Sequence, residues 1–217
     1  MRGEDTDFIY SVIGIGDGIT VEIVEGGKSR SKRVRELLAQ QVWAEHAPEG
    51  GYRTLEHTES GAPLLLTDSS EPSWNRISIT HTEGLWASAI LEAAMPDSLD
   101  PETFTPQAAI GIDAERATRE QAANVRERFL STAELELTKG GNTATYVLAW
   151  TCKEAMLKLG MNPAVDIRTD LIIKSLPHPG KLEGSGALLR DGEELPVVLR
   201  SIRFNGFIIT VATLASC

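Results

Sequence analysis

Apolar positions divide the chain into a strand-rich first half and a mixed second half. Phe8-Ile9-Tyr10 and Val12-Ile13 lead into Gly14, Gly16 and Asp17-Gly18, and Ile19-Thr20-Val21-Glu22-Ile23 follows. Asp-Gly between apolar runs predicts a β-hairpin over 8–25. No helical pattern follows these glycines, which argues against a nucleotide-binding loop. Val34, Leu37, Leu38, Gln41 and Val42 recur at helical spacing and predict a helix over 31–46. Residues 48–75 read as loop-rich. Arg76-Ile77-Ser78-Ile79-Thr80-His81 alternates as a strand, and Leu85 to Leu91 fits helix or strand. Pro96, Pro101 and Pro106 among acids mark residues 94–107 as a linker.

The second half opens on an apolar strand, Ala108 to Glu115. Thr118-Arg119-Glu120-Gln121 and Ser131-Thr132-Ala133-Glu134 both have capping-box spacing. The first predicts a helix to about Arg128 and the second starts another. Thr143 to Leu159 predicts a long helix, ended by Gly160 with Pro163 beyond. Leu148, Cys152, Ala155 and Leu159 form its apolar stripe, and Trp150, Glu154 and Lys158 share another face. Asp191-Gly192 and Asn205-Gly206 predict hairpins in a sheet-rich tail.

Composition narrows the class. The 217 residues are 41% hydrophobic and 24% charged, as in an ordinary globular protein of one large or two small domains. No apolar run reaches the length of about 18 residues that spans a membrane. The acidic Met1-Arg2-Gly3-Glu4-Asp5 start has no apolar signal core, and Cys152 and Cys217 form no disulfide framework. A reducing, cytoplasmic compartment is the expectation. The net charge of −10 argues against a nucleic-acid surface, and nothing suggests a membrane partner. Against that background Lys28, Arg30, Lys32, Arg33 and Arg35 form a compact cationic cluster. It falls at the start of the helix expected over 31–46, where cations oppose the helix dipole. A small anionic ligand would account for it, and so would a solvated helix face.

Asp113 and Glu115 alternate on one strand and face the same side, with Gly111 beside them leaving space. Paired carboxylates suit a hard cation such as Mg²⁺, or are two solvated acids at a strand end. Glu154 and Lys158, four apart, are by themselves an ordinary surface pair. Cys152, on the apolar side of its helix, reads as a buried small hydrophobe rather than a nucleophile. His81 closes a strand, where it could bind phosphate or cap the loop. His46, His57 and His178 show no metal-ligand spacing, and there is no zinc motif, Walker loop or Gly-x-Ser-x-Gly elbow.

Read in order, the segments are Arg76 to Thr82, then Ile110-Gly111-Ile112-Asp113-Ala114-Glu115. Phe129-Leu130-Ser131-Thr132-Ala133-Glu134 follows, and last Trp150-Thr151-Cys152-Lys153-Glu154-Ala155-Met156-Leu157-Lys158. This series resembles the 4′-phosphopantetheinyl transferase superfamily, in its monomeric surfactin-synthetase-activating type, over about residues 28–175. The family pattern is a Ser-His loop, Gly-Ile-Asp-x-Glu, and Trp-x-x-Lys-Glu-x-x-x-Lys.

The resemblance implies an α+β fold: a pseudo-two-fold pair of similar subdomains, 1–100 and 101–217. Each would pack a helix on a small antiparallel sheet, with the active site in the cleft between them. It implies transfer of the phosphopantetheine arm of coenzyme A to a serine of an apo acyl or peptidyl carrier protein. Mg²⁺ would sit on Asp113, Glu115 and Glu154. Glu154, or a metal-bound water, would take the serine proton, and Lys158 would steady the transferring phosphoryl group. Coenzyme A contacts would come from Lys28, Arg33, Thr80, His81 and Lys153. Ala62 stands where the family has a basic residue, so one such contact is missing. A non-catalytic module that binds coenzyme A or a carrier protein, and another Mg²⁺-dependent phosphate enzyme, are the alternatives.

Overall fold

The computed structural model describes residues 8–26, 53–57, 63–67, 76–91, 110–160, 165–178, 182–190 and 192–215. The chain divides into two compact units, Met1–Thr105 and Pro106–Cys217. The expected helix over 31–46, the linker over 94–107, the boundary at 100/101, and Lys28, Arg33 and Ala62 all lie outside the described residues.

In the first unit, β1 (Phe8–Gly14), β2 (Ile19–Gly26), β5 (Arg76–Thr82) and β6 (Leu85–Leu91) form an antiparallel sheet of order β1-β2-β6-β5. A separate hairpin joins β3 (Arg53–His57) to β4 (Pro63–Thr67). The Asp-Gly turn forms where the sequence predicts it. Asp17 has φ 50°, and Gly16 and Gly18 are also left-handed, so the turn's twist matches that of its strands. Leu85–Leu91, open to either structure by its pattern, is a strand because it pairs on both sides, with β2 and with β5. Val24, Ile77, Trp86 and Ile90 pack as its core.

The second unit is a five-stranded antiparallel sheet of order β7-β11-β10-β9-β8 with a long helix against it. The strands are β7 (Ile110–Arg116), β8 (Leu171–Ser175), β9 (Glu183–Arg190), β10 (Glu193–Phe204) and β11 (Phe207–Leu214). The helices are α1 (Glu120–Asn124), α2 (Arg126–Phe129), α3 (Thr132–Leu137) and α4 (Thr143–Gly160). Cys152, Ala155, Met156 and Leu159 of α4 pack with Leu171, Leu199 and Ala212 of the sheet. Leu148, placed on that stripe by spacing, is only partly buried. Asn205 at φ 43° and Gly206 at φ 82° turn β10 into β11, as the Asn-Gly pair predicts.

The two capping boxes part ways. Ser131 accepts from the backbone N–H of Glu134, and Glu134 accepts from that of Ser131, so the second box forms in full. The first does not: Arg119 is the N-cap of α1, with no side-chain cap bond. The expected single helix breaks at Val125 into α1 and α2. The Arg119 side chain is drawn back to Glu115, which shifts the helix start past Thr118. No described helix is long and apolar enough to cross a membrane.

Candidate active site

Strand β7 carries Asp113 and Glu115 on one face, opposite Thr210 and Ile208 of β11. Both carboxylates are buried. The space that Gly111 leaves is filled by helix α4. A Cβ at Gly111 would overlap the carbonyl oxygen of Ala155 and lie 2.7 Å from the nitrogen of Leu159. Only glycine lets helix backbone and strand backbone approach this closely.

That contact sets the next one. Lys158, between Ala155 and Leu159 in sequence, donates from Nζ to Ile112 O at 2.8 Å and to Asp113 Oδ1 at 3.0 Å. Thr151, lower on the helix, shares a 2.8 Å hydrogen bond with Thr210 of β11. Glu154 stands one turn before Lys158. Burial pushes its carboxyl above the ordinary carboxylate range, the charge of Asp113 adds to the shift, and Lys158 opposes it. Asp113, Glu154 and Lys158 are therefore within electrostatic reach of one another.

Glu115 is engaged differently. It accepts from Arg119, four residues on, and from the backbone N–H of Arg116. Among the described residues, no group of three His, Cys, Asp or Glu side chains gathers as a metal cage. The donor set still fits a hard cation. Asp113 and the half-buried Glu154 are oxygen donors close enough to feel each other's charge, and Mg²⁺ usually takes one or two carboxylates with substrate phosphates.

Lys153 does not join this cluster, and the structure gives it an internal partner where a coenzyme contact was expected. Its side chain is wholly enclosed. Nζ lies 2.7 Å from Glu134 Oε1 and also donates to Leu171 O. Burial pushes its ammonium below the ordinary lysine value, and Glu134 opposes that shift. Glu134 is a residue whose partner the sequence does not announce. The capping box marks its local role, but nothing in the spacing signals Lys153.

Other expected residues fall elsewhere. Cys152 is buried and its thiol is pushed up to about 12, mainly by burial, so it is no nucleophile. Trp150 packs edge-on against Phe129, with ring centroids 5.1 Å apart. In the first unit, Thr80 is buried in β5 and His81 is exposed near its end. A pocket of about 360 Å³, lined by Thr145, Leu148, Pro177, Ser201, Arg203 and Ile208 among others, contains none of the expected site residues.

Residues 109–212 match the model of the 4′-phosphopantetheinyl transferase superfamily. The match spans β7 to β11 almost in full, and so includes Asp113, Glu134, Lys153, Glu154 and Lys158. The second unit is thus similar to that superfamily, whose name describes phosphopantetheinyl transfer. No curated protein matches the chain.

Proposed function

We propose that the chain transfers the 4′-phosphopantetheine arm of coenzyme A to a serine hydroxyl of an apo acyl or peptidyl carrier protein. The observation that carries this reading is Lys158 held on Asp113 beside a half-buried Glu154, inside the segment that matches the superfamily. The surfactin-synthetase-activating type, a monomer, is the nearest form on the sequence motifs, and a cytoplasmic location suits the cysteine usage.

The serine oxygen attacks the phosphorus on the pantetheine side of the pyrophosphate. The bond to adenosine 3′,5′-bisphosphate breaks, and the serine proton must leave. Glu154 is the base: burial and Asp113 raise its affinity for a proton above that of an ordinary carboxylate. Lys158 is part-exposed, so its ammonium can shift from Asp113 to a phosphoryl oxygen as charge moves onto the leaving group. Asp113 and Glu154 would hold Mg²⁺, with Glu115 a third ligand once Arg119 releases it. When bound, the ion neutralises the pyrophosphate charge. Lys28, Arg33 and His81 are proposed to hold the 3′-phosphate end of coenzyme A, a role supported by the cationic cluster in the sequence.

The test is incubation of the full-length protein with coenzyme A, Mg²⁺ and a panel of apo carrier proteins, followed by intact mass. Gain of one phosphopantetheine arm on a carrier supports the reading. Coenzyme A binding without transfer, or its cleavage without transfer, rejects it.

A further inference from the structure

We infer that the buried Glu134–Lys153 pair is the positioning device that fixes the rotation of α4, and with it the aim of Glu154 and Lys158 at Asp113. This role deepens the transferase reading and rests on it. The pair ties three elements together. Glu134 Oε1 lies 2.7 Å from Lys153 Nζ on α4 and accepts from Ile173 N of β8 at 2.7 Å. Oε2 accepts from Ser131 N at the start of α3 at 2.8 Å. Lys153 Nζ also donates to Leu171 O, the first residue of β8.

The apolar contacts of α4 do not define its rotation as sharply. Of its core-facing residues Ala149, Cys152, Ala155, Met156 and Leu159, all but the last are small or adaptable. Burial of such surface is non-directional, and methionine conforms to its surroundings. Beyond the close approach at Gly111, directional bonds refine the angle. Thr151 and Lys158 anchor α4 to β11 and β7, and Lys153 anchors it to α3 and β8. The helix is held at both flanks.

Lys153 immediately precedes Glu154, so the anchor and the site share one turn of helix. Side chains reach about 5–6 Å from a helix axis, and a 20° turn would sweep their ends by about 2 Å. The 3.0 Å contact of Lys158 with Asp113 does not survive such a shift. A buried ion pair stabilises poorly compared with apolar side chains of matched volume. Its distinctive contribution is direction, which a site built on the next residue needs.

The test uses the full chain with the double substitution Glu134→Gln/Lys153→Met. It removes both charges and leaves an amide able to accept from the Ile173 N–H. The measurements are thermal unfolding, kcat and KM for coenzyme A in carrier modification, and Mn²⁺ binding by electron paramagnetic resonance. The expected result is a folded protein whose kcat falls about a hundredfold, as a misplacement of about 1 Å can cause. KM for coenzyme A should stay near the parental value, and Mn²⁺ affinity should fall about tenfold or more, as for lost outer-shell partners.

Ile173→Val removes packing from the same strand and serves as the control. It should lower the melting temperature while keeping kcat and Mn²⁺ affinity. If the double variant does not fold, Glu134→Asp decides: it keeps the charge, draws the carboxylate back by one methylene, and should lose both kcat and Mn²⁺ affinity. Parental kcat and Mn²⁺ affinity in the decisive variant overturn the role. Equal losses in Ile173→Val also overturn it, since packing alone would then explain them. A parental protein that transfers nothing rejects the transferase reading instead, and the Mn²⁺ arm still reports whether the pair aims Asp113 and Glu154.

Discussion

Helix α4 carries two lysines five positions apart, and the second unit holds them in opposite ways. Lys153 has no exposure and faces an equally enclosed Glu134. Lys158 keeps 32% side-chain exposure and faces Asp113 from the site's edge. The chemistry is the same, a lysine on a carboxylate. The difference lies in what can replace the partner. Nothing dissolved in water reaches Lys153, so its pair is permanent and sets geometry. A phosphate can reach Lys158, so its pair is exchangeable and suits turnover.

The largest expected effect separates the two by stability. Lys153→Met leaves a buried, unpaired Glu134 carboxylate and should cost about 3–5 kcal/mol. Lys158→Met removes a part-buried pair whose lysine still meets solvent, and should cost less stability than Lys153→Met while abolishing most transfer. Urea denaturation of both variants gives the comparison, and equal losses would erase the distinction.

Gly111→Ala attacks the contact on which Lys158 depends. The added Cβ meets the backbone of Ala155 and Leu159, which cannot step aside as a side chain can. We expect about 1–3 kcal/mol of destabilisation, with kcat falling further than the stability change explains. A variant with parental kcat would mean that close helix–strand approach does not position Lys158.

Glu154→Gln sharpens the account of the site through pH. In the folded chain the Glu154 carboxyl sits above its ordinary 4.5. Its proton is thus held more tightly folded than unfolded. The stability this provides is fully present below 4.5 and is lost as pH rises through the raised value. Gln mimics the protonated form, so without divalent cation the variant should gain stability on the parent across that window, with no pH-linked gain below it. Parallel stability curves in chelator would show that Glu154 is not desolvated beside Asp113.

The smallest effect belongs to Cys152. Iodoacetamide should leave it unmodified in the folded chain, because burial keeps the thiol protonated. Cys152→Ala should retain parental transfer. Peptide mapping and a rate assay check both.

Local signals were legible, and long-range ones were not. The Asn205-Gly206 turn and the Ser131 capping box are short-range geometry, and both form where the sequence places them. Thr118 has the same cap spacing as Ser131, yet Arg119 takes the N-cap position because its side chain reaches back to Glu115. The spacing of Asp113, Glu154 and Lys158 put them on neighbouring elements, and the structure places Lys158 on Asp113 with Glu154 in electrostatic reach. The Lys153 partner was not legible, because Glu134 comes from another helix. The cap spacing identified the backbone N–H that Glu134 would bind, and gave no sign of a lysine beneath it.

The most direct measurement is intact mass of an apo carrier protein after incubation with coenzyme A, Mg²⁺ and either the parent or Glu154→Gln. The parent should add one phosphopantetheine arm and release adenosine 3′,5′-bisphosphate, and Glu154→Gln should add almost none in the same time. A parental protein that leaves every carrier of the panel unmodified would contradict the transferase, and a Glu154→Gln variant with the parent's rate would contradict the base.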